Sequence, residues 1–252
     1  MRTRFILTGY WTITSPGNDP YAITVGAMKS MGTPVRGDDQ VASYSSKGPS
    51  LIDNVVKPDL VAPGNLIKSL LASPACTLAK EFPANAGMGQ TQYLQLSGTS
   101  MAAAVVSGAA ALVIEKEPHL TPDQVKVRLM KTASKGFPAS SVVVDGGQVY
   151  RSQYDVFTIG AGYLDILAAL SDTSASFGPA LSPQAFLDAA SDAVRVVPAA
   201  GSAWQLAGGL SAFWGNQVLV PQAASAGWGA SGTSAAWGSS AAWGSSVPDG
   251  EN

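Results

Sequence analysis

Leu96-Ser97-Gly98-Thr99-Ser100-Met101-Ala102-Ala103-Ala104-Val105-Val106-Ser107-Gly108-Ala109-Ala110-Ala111-Leu112 is the stretch whose reading decides the fold. A short polar turn opens directly into a long run of small apolar residues. Upstream, Gln92-Tyr93-Leu94-Gln95-Leu96 alternates polar and apolar side chains with the period of a strand. Downstream, the alanine-rich run combines high helix propensity with side chains small enough for close packing. The pattern predicts a strand that delivers Ser100 to the first turn of a helix. N–H groups in that turn lack intrahelical acceptors and the helix dipole is positive there, so negative charge developing nearby is stabilised. An acyl-transfer nucleophile gains from such a position, although Ser and Thr also suit plain helix capping.

The longer string separates the two readings. Gly98-Thr99-Ser100-Met101-Ala102, with Gly108 eight residues after Ser100, resembles the nucleophile segment of subtilisin-like serine proteases. The turn G-x-S-x-G of α/β-hydrolases does not fit, because Ala102 stands where its last glycine would be. One departure from the family is Ala104, where proline is usual; alanine suits a helix interior and alters local shape rather than chemistry. Three further phrases carry the same resemblance: Ala42-Ser43-Tyr44-Ser45-Ser46-Lys47-Gly48-Pro49-Ser50, Lys57-Pro58-Asp59-Leu60-Val61-Ala62-Pro63-Gly64, and Thr158-Ile159-Gly160-Ala161-Gly162-Tyr163-Leu164-Asp165. Together they cover residues 15–170.

The resemblance implies a doubly wound α/β domain with a mostly parallel sheet, incomplete on its N-terminal side. Strands alternating with helical runs point the same way. It also implies that Ser100 is the nucleophile of a serine-type endopeptidase, with Gly98 and Thr99 forming its turn. Before the short β-rich run Tyr21-Ala22-Ile23-Thr24-Val25-Gly26-Ala27 lies the turn cluster Ser15-Pro16-Gly17-Asn18-Asp19-Pro20. By resemblance Thr14, Ser15, Pro16 and Gly17 would edge the pocket for the substrate side chain preceding the scissile bond. Asn18 lies too near the strand to serve as the family's oxyanion asparagine and reads as part of the turn. Lys57 and Asp59, read as pointing to opposite faces of an extended segment, are expected not to pair. Thr121-Pro122-Asp123-Gln124 is a capping box with proline at the first helical position, Val125, Leu129 and Met130 share one apolar face, and Gly136 is a candidate stop.

Composition narrows the function classes. The 252 residues are 46% hydrophobic and 13% charged, with a formal net charge of −2 and no Lys/Arg cluster, which disfavours nucleic acid as a partner. Cys76 is the single cysteine, so neither an intrachain disulfide nor a cysteine zinc site is expected. The start, Met1-Arg2-Thr3-Arg4-Phe5-Ile6-Leu7-Thr8, has the charge of a signal peptide without its apolar stretch. No run is read as a membrane span. By family resemblance the protein would be secreted or at the cell surface.

A serine nucleophile needs a base to take its proton and a carboxylate to orient that base. His119 is the only histidine, and it sits at the mouth of the next helix, beyond the far end of the one Ser100 opens. The family places its aspartate, histidine and oxyanion asparagine ahead of the serine, and no such motif stands before residue 15. The expectation is therefore a nucleophile-bearing C-terminal part of a peptidase domain that lacks its upstream segment. Residues 1–14 would be a leader outside the family, and residues 171–252 a largely disordered Ala/Gly/Ser/Trp-rich tail. Trp214-Gly215, Trp228-Gly229, Trp237-Gly238 and Trp243-Gly244 recur there, either as a low-complexity spacer or as aromatics for a partner. Calcium is implied by resemblance alone, since no Asp/Asn-rich loop has ligand spacing, and no metal ligands are assigned. Two functions remain open: a protease acting on proteins or peptides, or a noncatalytic protein binding through its apolar surface or Trp-Gly tail.

Overall fold

The computed structural model describes residues 10–86, 92–145, 147–188, 193–206 and 219–221. Its strands are β1 (Val25–Lys29), β2 (Gln40–Val41), β3 (Leu60–Pro63), β4 (Ile67–Leu70), β5 (Tyr93–Leu96), β6 (Ser140–Asp145), β7 (Gln148–Gln153), β8 (Gln184–Asp188), β9 (Ala193–Val197) and β10 (Leu219–Pro221). Its helices are α1 (Thr77–Glu81), α2 (Thr99–Lys116), α3 (Pro122–Thr132), α4 (Val156–Ile159), α5 (Ile166–Ser171) and α6 (Ala203–Leu206).

β1 and β3 form a parallel ladder from Val25 opposite Leu60 to Met28 opposite Pro63, and β2 adds to β1 antiparallel. The pairs β4–β5, β6–β7, β8–β9 and β9–β10 are all antiparallel. The sheets are therefore mixed, and β1–β3 is the one parallel ladder among the described residues, against the expectation of a mostly parallel sheet. Connection length explains the difference. β6–β7 is joined by a tight turn that only an antiparallel pair can use, whereas β1 and β3 are separated by a crossover long enough for parallel pairing.

α2 buries one stripe, Ala102, Val106, Ala109 and Val113, against Ala27 of β1, Leu60 and Ala62 of β3 and Leu129 of α3. Spacings of four, three and four residues keep that stripe on one face. Leu112 and Ile114 remain more than two-fifths exposed. By length and composition alone α2 is long and apolar enough to cross a membrane, yet its Ala102, Val106, Ala109 and Val113 stripe is packed into the core. α3 starts as its sequence predicts. Thr121 Oγ1 accepts from Gln124 N at 3.3 Å, and Gln124 Oε1 accepts from Thr121 N at 2.9 Å. It ends at Thr132, ahead of Gly136, because Ser134 leaves the helix to exchange backbone hydrogen bonds of 2.7 and 3.0 Å with Tyr163.

A second core joins Tyr10, Val127, Met130, Val156 and Phe157 to Ala185, Val194, Val196 and Trp204. The divisions expected at residues 14 and 171 both run through it. Tyr10 Oη donates to Asp155 Oδ2 at 2.5 Å, and Trp204, fully buried, donates its indole N–H to the Leu181 carbonyl. Among the described residues, packing continues past Ser171 as far as Trp204. All four Trp-Gly pairs fall outside the described residues.

Lys57 and Asp59 also differ from expectation: Lys57 Nζ lies 2.7 Å from Asp59 Oδ2, both groups buried. In extended backbone it is residues i and i+2 that share a face, so the pairing follows from the pleat.

Because Trp204 fills the second core, Trp204→Ala should lower the unfolding free energy by about 3–5 kcal/mol. Denaturant unfolding followed by circular dichroism measures it, and a change within about 0.5 kcal/mol would mean the segment past Ser171 is not part of the cooperative fold.

Candidate active site

The turn expected to carry the nucleophile is built where β5 passes into α2. Gly98 is the N-cap, at φ +156°, and its carbonyl accepts from Met101 N and Ala102 N at 3.1 and 3.3 Å. Gly98 N donates to the Gly64 carbonyl at 2.8 Å, and Gly64 N donates to the Met28 carbonyl at 3.0 Å. The turn thus hangs from the end of β3, which is itself tied to β1. Contact at this point is close. A Cβ on Gly64 would fall 2.7 Å from Ala27 Cβ and 2.9 Å from the Gly98 carbonyl oxygen.

Side chains complete the clamp. Ser97 Oγ accepts from Leu66 N at 2.9 Å, and Gln95 Nε2 donates to the Leu66 carbonyl at 3.0 Å. Tyr44 Oη lies 3.1 Å from the Gly64 carbonyl and 3.3 Å from Asn65 Oδ1. Sequence reasoning gave Tyr44 and Asn65 no role and offered Ser97 only as part of a helix cap. The one local signal was the phrase Ala62-Pro63-Gly64, whose glycine permits the close approach.

Held in this way, Ser100 is exposed in the first turn of α2. The N–H groups of Thr99 and Ser100 lead the helix without intrahelical acceptors, beside the positive end of its dipole. Such a site presents a hydroxyl and polarises an oxygen placed next to it, but no histidine among the described residues stands beside it. His119 is exposed beyond the C-terminal end of α2, and Ser100 lies about 24 Å along the axis from Lys116 at 1.5 Å per residue.

Residues 14–17 form a separate turn. Asn18 N donates to the Thr14 carbonyl at 3.2 Å and Asp19 N to the Pro16 carbonyl at 3.1 Å, which places Asn18 in the turn, as its sequence context predicts. Thr14, Ser15 and Pro16 are exposed, and Gly17 offers its carbonyl to Thr24 Oγ1 at 2.6 Å. Among the described residues no hydrogen bond joins this turn to the nucleophile turn; β1 and Gly64 connect them. The described residues contain no group of three His, Cys, Asp or Glu side chains able to hold a metal ion.

The described residues form an α/β fold that presents an exposed serine at a strand-to-helix junction. The family comparison identifies it: the model of the subtilase family matches residues 5–159, well over half of the chain, and the protein belongs to that family of serine endopeptidases. The match opens ahead of the start expected at Ser15. The chain is 44% identical over 124 residues to the serine protease AprX of Bacillus subtilis (strain 168), covering 49% of this chain and 27% of that protein. It is 33% identical over 131 residues to the subtilisin-like protease SBT4.6 of Arabidopsis thaliana, covering 52% and 16%. The keratinolytic fervidolysin of Fervidobacterium pennivorans aligns at 25% identity over 65% of this chain and 21% of its own, with a TM-score of 0.45. The chain therefore spans about a quarter or less of these relatives' lengths.

Two glycines near Ser100 should respond in opposite ways to alanine. Gly64→Ala forces backbone apart and should cost about 1–3 kcal/mol. Gly108→Ala, in mid-helix with open space around its Cβ, should stabilise by about 0.5–1 kcal/mol. Equal effects in thermal or denaturant melts would contradict the clamp.

Proposed function

We propose that this chain bears the nucleophile of a subtilisin-like serine endopeptidase, with Ser100 attacking the scissile carbonyl of a protein or peptide. Gly98 and Thr99 form its turn, and Thr14, Ser15, Pro16 and Gly17 edge the pocket for the preceding substrate side chain. The observation carrying this reading is the exposed Ser100 hydroxyl in the first turn of α2, with Gly98 tied to Gly64 at 2.8 Å.

Attack makes a bond from Ser100 Oγ to the carbonyl carbon while the hydroxyl proton passes to a base. The leading amides of α2 favour the negative charge that develops nearby. The base, the carboxylate orienting it and a further oxyanion donor come from a polypeptide packed along the exposed side of α2, where Ala103, Ala104, Ser107, Gly108 and Ala111 allow close approach. The site of action is outside the cell or at its surface. A second reading, binding without catalysis, is favoured by the apolar exposure of Leu112 and Ile114 on the same helix.

A fluorophosphonate probe tests both. Loss of a single oxyanion donor lowers kcat about 10²- to 10³-fold, a figure measured on a member of this family, so the chain alone should not label. Mixed with a polypeptide carrying the family's aspartate, histidine and asparagine segments, it should label at Ser100, and Ser100→Ala should abolish the signal. Labelling at Ser46 or Ser97 would overturn the nucleophile assignment. A stable mixed complex that never labels would favour binding without catalysis.

A further inference from the structure

Asp59, Lys57, Lys126 and Ser182 meet in the interior, with 1%, 0%, 2% and 5% of their surfaces exposed. Lys126 Nζ donates to the carbonyls of Pro20 at 2.8 Å and Ala22 at 3.0 Å and to Ser182 Oγ at 2.8 Å, and lies 3.3 Å from Asp59 Oδ1. Lys57 Nζ donates to Asp59 Oδ2 at 2.7 Å and to the Ala22 carbonyl at 2.9 Å. Thr24 N donates to Asp59 Oδ2 at 2.8 Å, and Asp59 N returns a bond of the same length to the Thr24 carbonyl. Ser182 N donates to the Pro20 carbonyl at 2.9 Å. The Ser182 hydroxyl lies 2.5 Å from Asp59 Oδ1 and 3.1 Å from the Pro20 carbonyl, and its single proton goes to the nearer, charged acceptor.

The carbonyls of Pro20, Ala22 and Thr24 therefore all end on this node. Thr24 passes the constraint on, since its hydroxyl donates to the Gly17 carbonyl at 2.6 Å. We propose that Lys126 and Ser182 are positioning residues for the 14–17 turn, so that a segment beyond the family match sets the shape of the pocket edge. The functional half of this statement rests on the pocket assigned above; the positioning half does not.

The node can be read through its own chemistry. Two ammonium groups share one carboxylate. Burial pushes Lys126 down to about 8; Asp59 opposes that shift, Lys57 adds to it, and Asp123 on the same helix opposes it weakly. A lysine ammonium donates three N–H bonds, whereas the amine left when its proton goes to solvent donates two and carries a lone pair. Neutral Lys126 cannot serve Pro20, Ala22 and Ser182 as donors together. Its lone pair can instead accept the Ser182 proton, withdrawing it from Asp59. The two N–H groups that remain can still reach the Pro20 and Ala22 carbonyls, but without the ammonium charge those bonds weaken and the attraction to Asp59 is lost. The hold on residues 20–22 relaxes, and the change passes through Thr24 to Gly17.

Amide ¹H–¹⁵N spectra of the whole chain from about pH 6 to about pH 10 test the proposal. The Gly17, Ala22 and Thr24 resonances should move together with one midpoint near 8, while Leu66 and Gly98 stay in place. Lys126→Met should remove the step. Lys126→Arg, which keeps its charge throughout, should remain near the low-pH positions. Ser182→Ala should shift Gly17 at neutral pH without moving Gly98. A Gly17 resonance that ignores both the titration and Ser182→Ala overturns the positioning role, and the wild-type titration decides even where a variant fails to fold. If Gly17 follows the node but substitutions at Ser15 and Gly17 leave the cleavage preference of an active assembly unchanged, the positioning stands and the pocket assignment falls.

Discussion

A carboxylate removed from water must be compensated within the protein, and Asp59 shows how much structure that requirement organises. Burial alone would raise its pKa, and the Lys126 and Lys57 ammonium groups reverse the shift and hold it below its usual range. The compensating donors come from distant parts of the chain: Thr24 beside β1, Lys126 on α3 and Ser182 ahead of β8. Replacing a buried ion pair by a well-packed apolar pair can be neutral or stabilising, so the charges need not add stability. Removing one partner alone would strand the others, typically at about 3–5 kcal/mol. The node therefore fixes which segments meet, and the apolar cores around it supply most of the driving force.

The same logic of close, directional contact recurs at the nucleophile turn. β3 begins beside the node at Leu60 and ends at Pro63, next to Gly64, so one short strand connects the buried charges to the support of Ser100. Small residues are a condition of that geometry: a Cβ on Gly64 would come within 3.0 Å of Ala27 and of the Gly98 carbonyl oxygen, closer than real Cβ atoms approach. On the far side of β3, Val61 N donates to the Gly162 carbonyl and Leu164 N to the Val61 carbonyl, both at 2.9 Å. Gly160, at φ +56°, lies so close to the start of β3 that a Cβ would sit 2.3 Å from the Pro58 carbonyl oxygen. The strand is held by backbone on both edges, which leaves the turn at its end little freedom to drift.

What the sequence disclosed follows from how far each interaction reaches along the chain. The strand, turn and helix around Ser100 depend on neighbours within a few residues, as does the Thr121–Gln124 capping box, and both were legible. The end of α3 was not, because Tyr163 supplies the partner that draws Ser134 out of the helix. Nor was the extent of packing beyond Ser171. Ala185, Val194, Val196 and Trp204 are buried within a text rich in Ala, Gly and Ser, and low charge there reads equally as linker or as interior. The Lys57–Asp59 pair was misjudged at the level of strand geometry, and its third and fourth members lie too far along the chain for any local pattern to include them.

Positioning and activation of Ser100 are therefore separate properties. Positioning is complete within this chain, since the cap at Gly98, the tie to Gly64 and the stripe from Ala102 to Val113 hold the first turn of α2 in place. Activation requires a group that takes a proton at about 2.6–3.2 Å, and the sole histidine is separated from Ser100 by the length of the helix. Because α2 buries one face and leaves the other open, any such group must approach from the open side. That side is lined near Ser100 by Ala103, Ala104 and Ser107, which bring a facing backbone close without a steric toll. The asymmetry of a single helix thus gives Ser100 one fixed, buried side and one open side from which any further group would reach it.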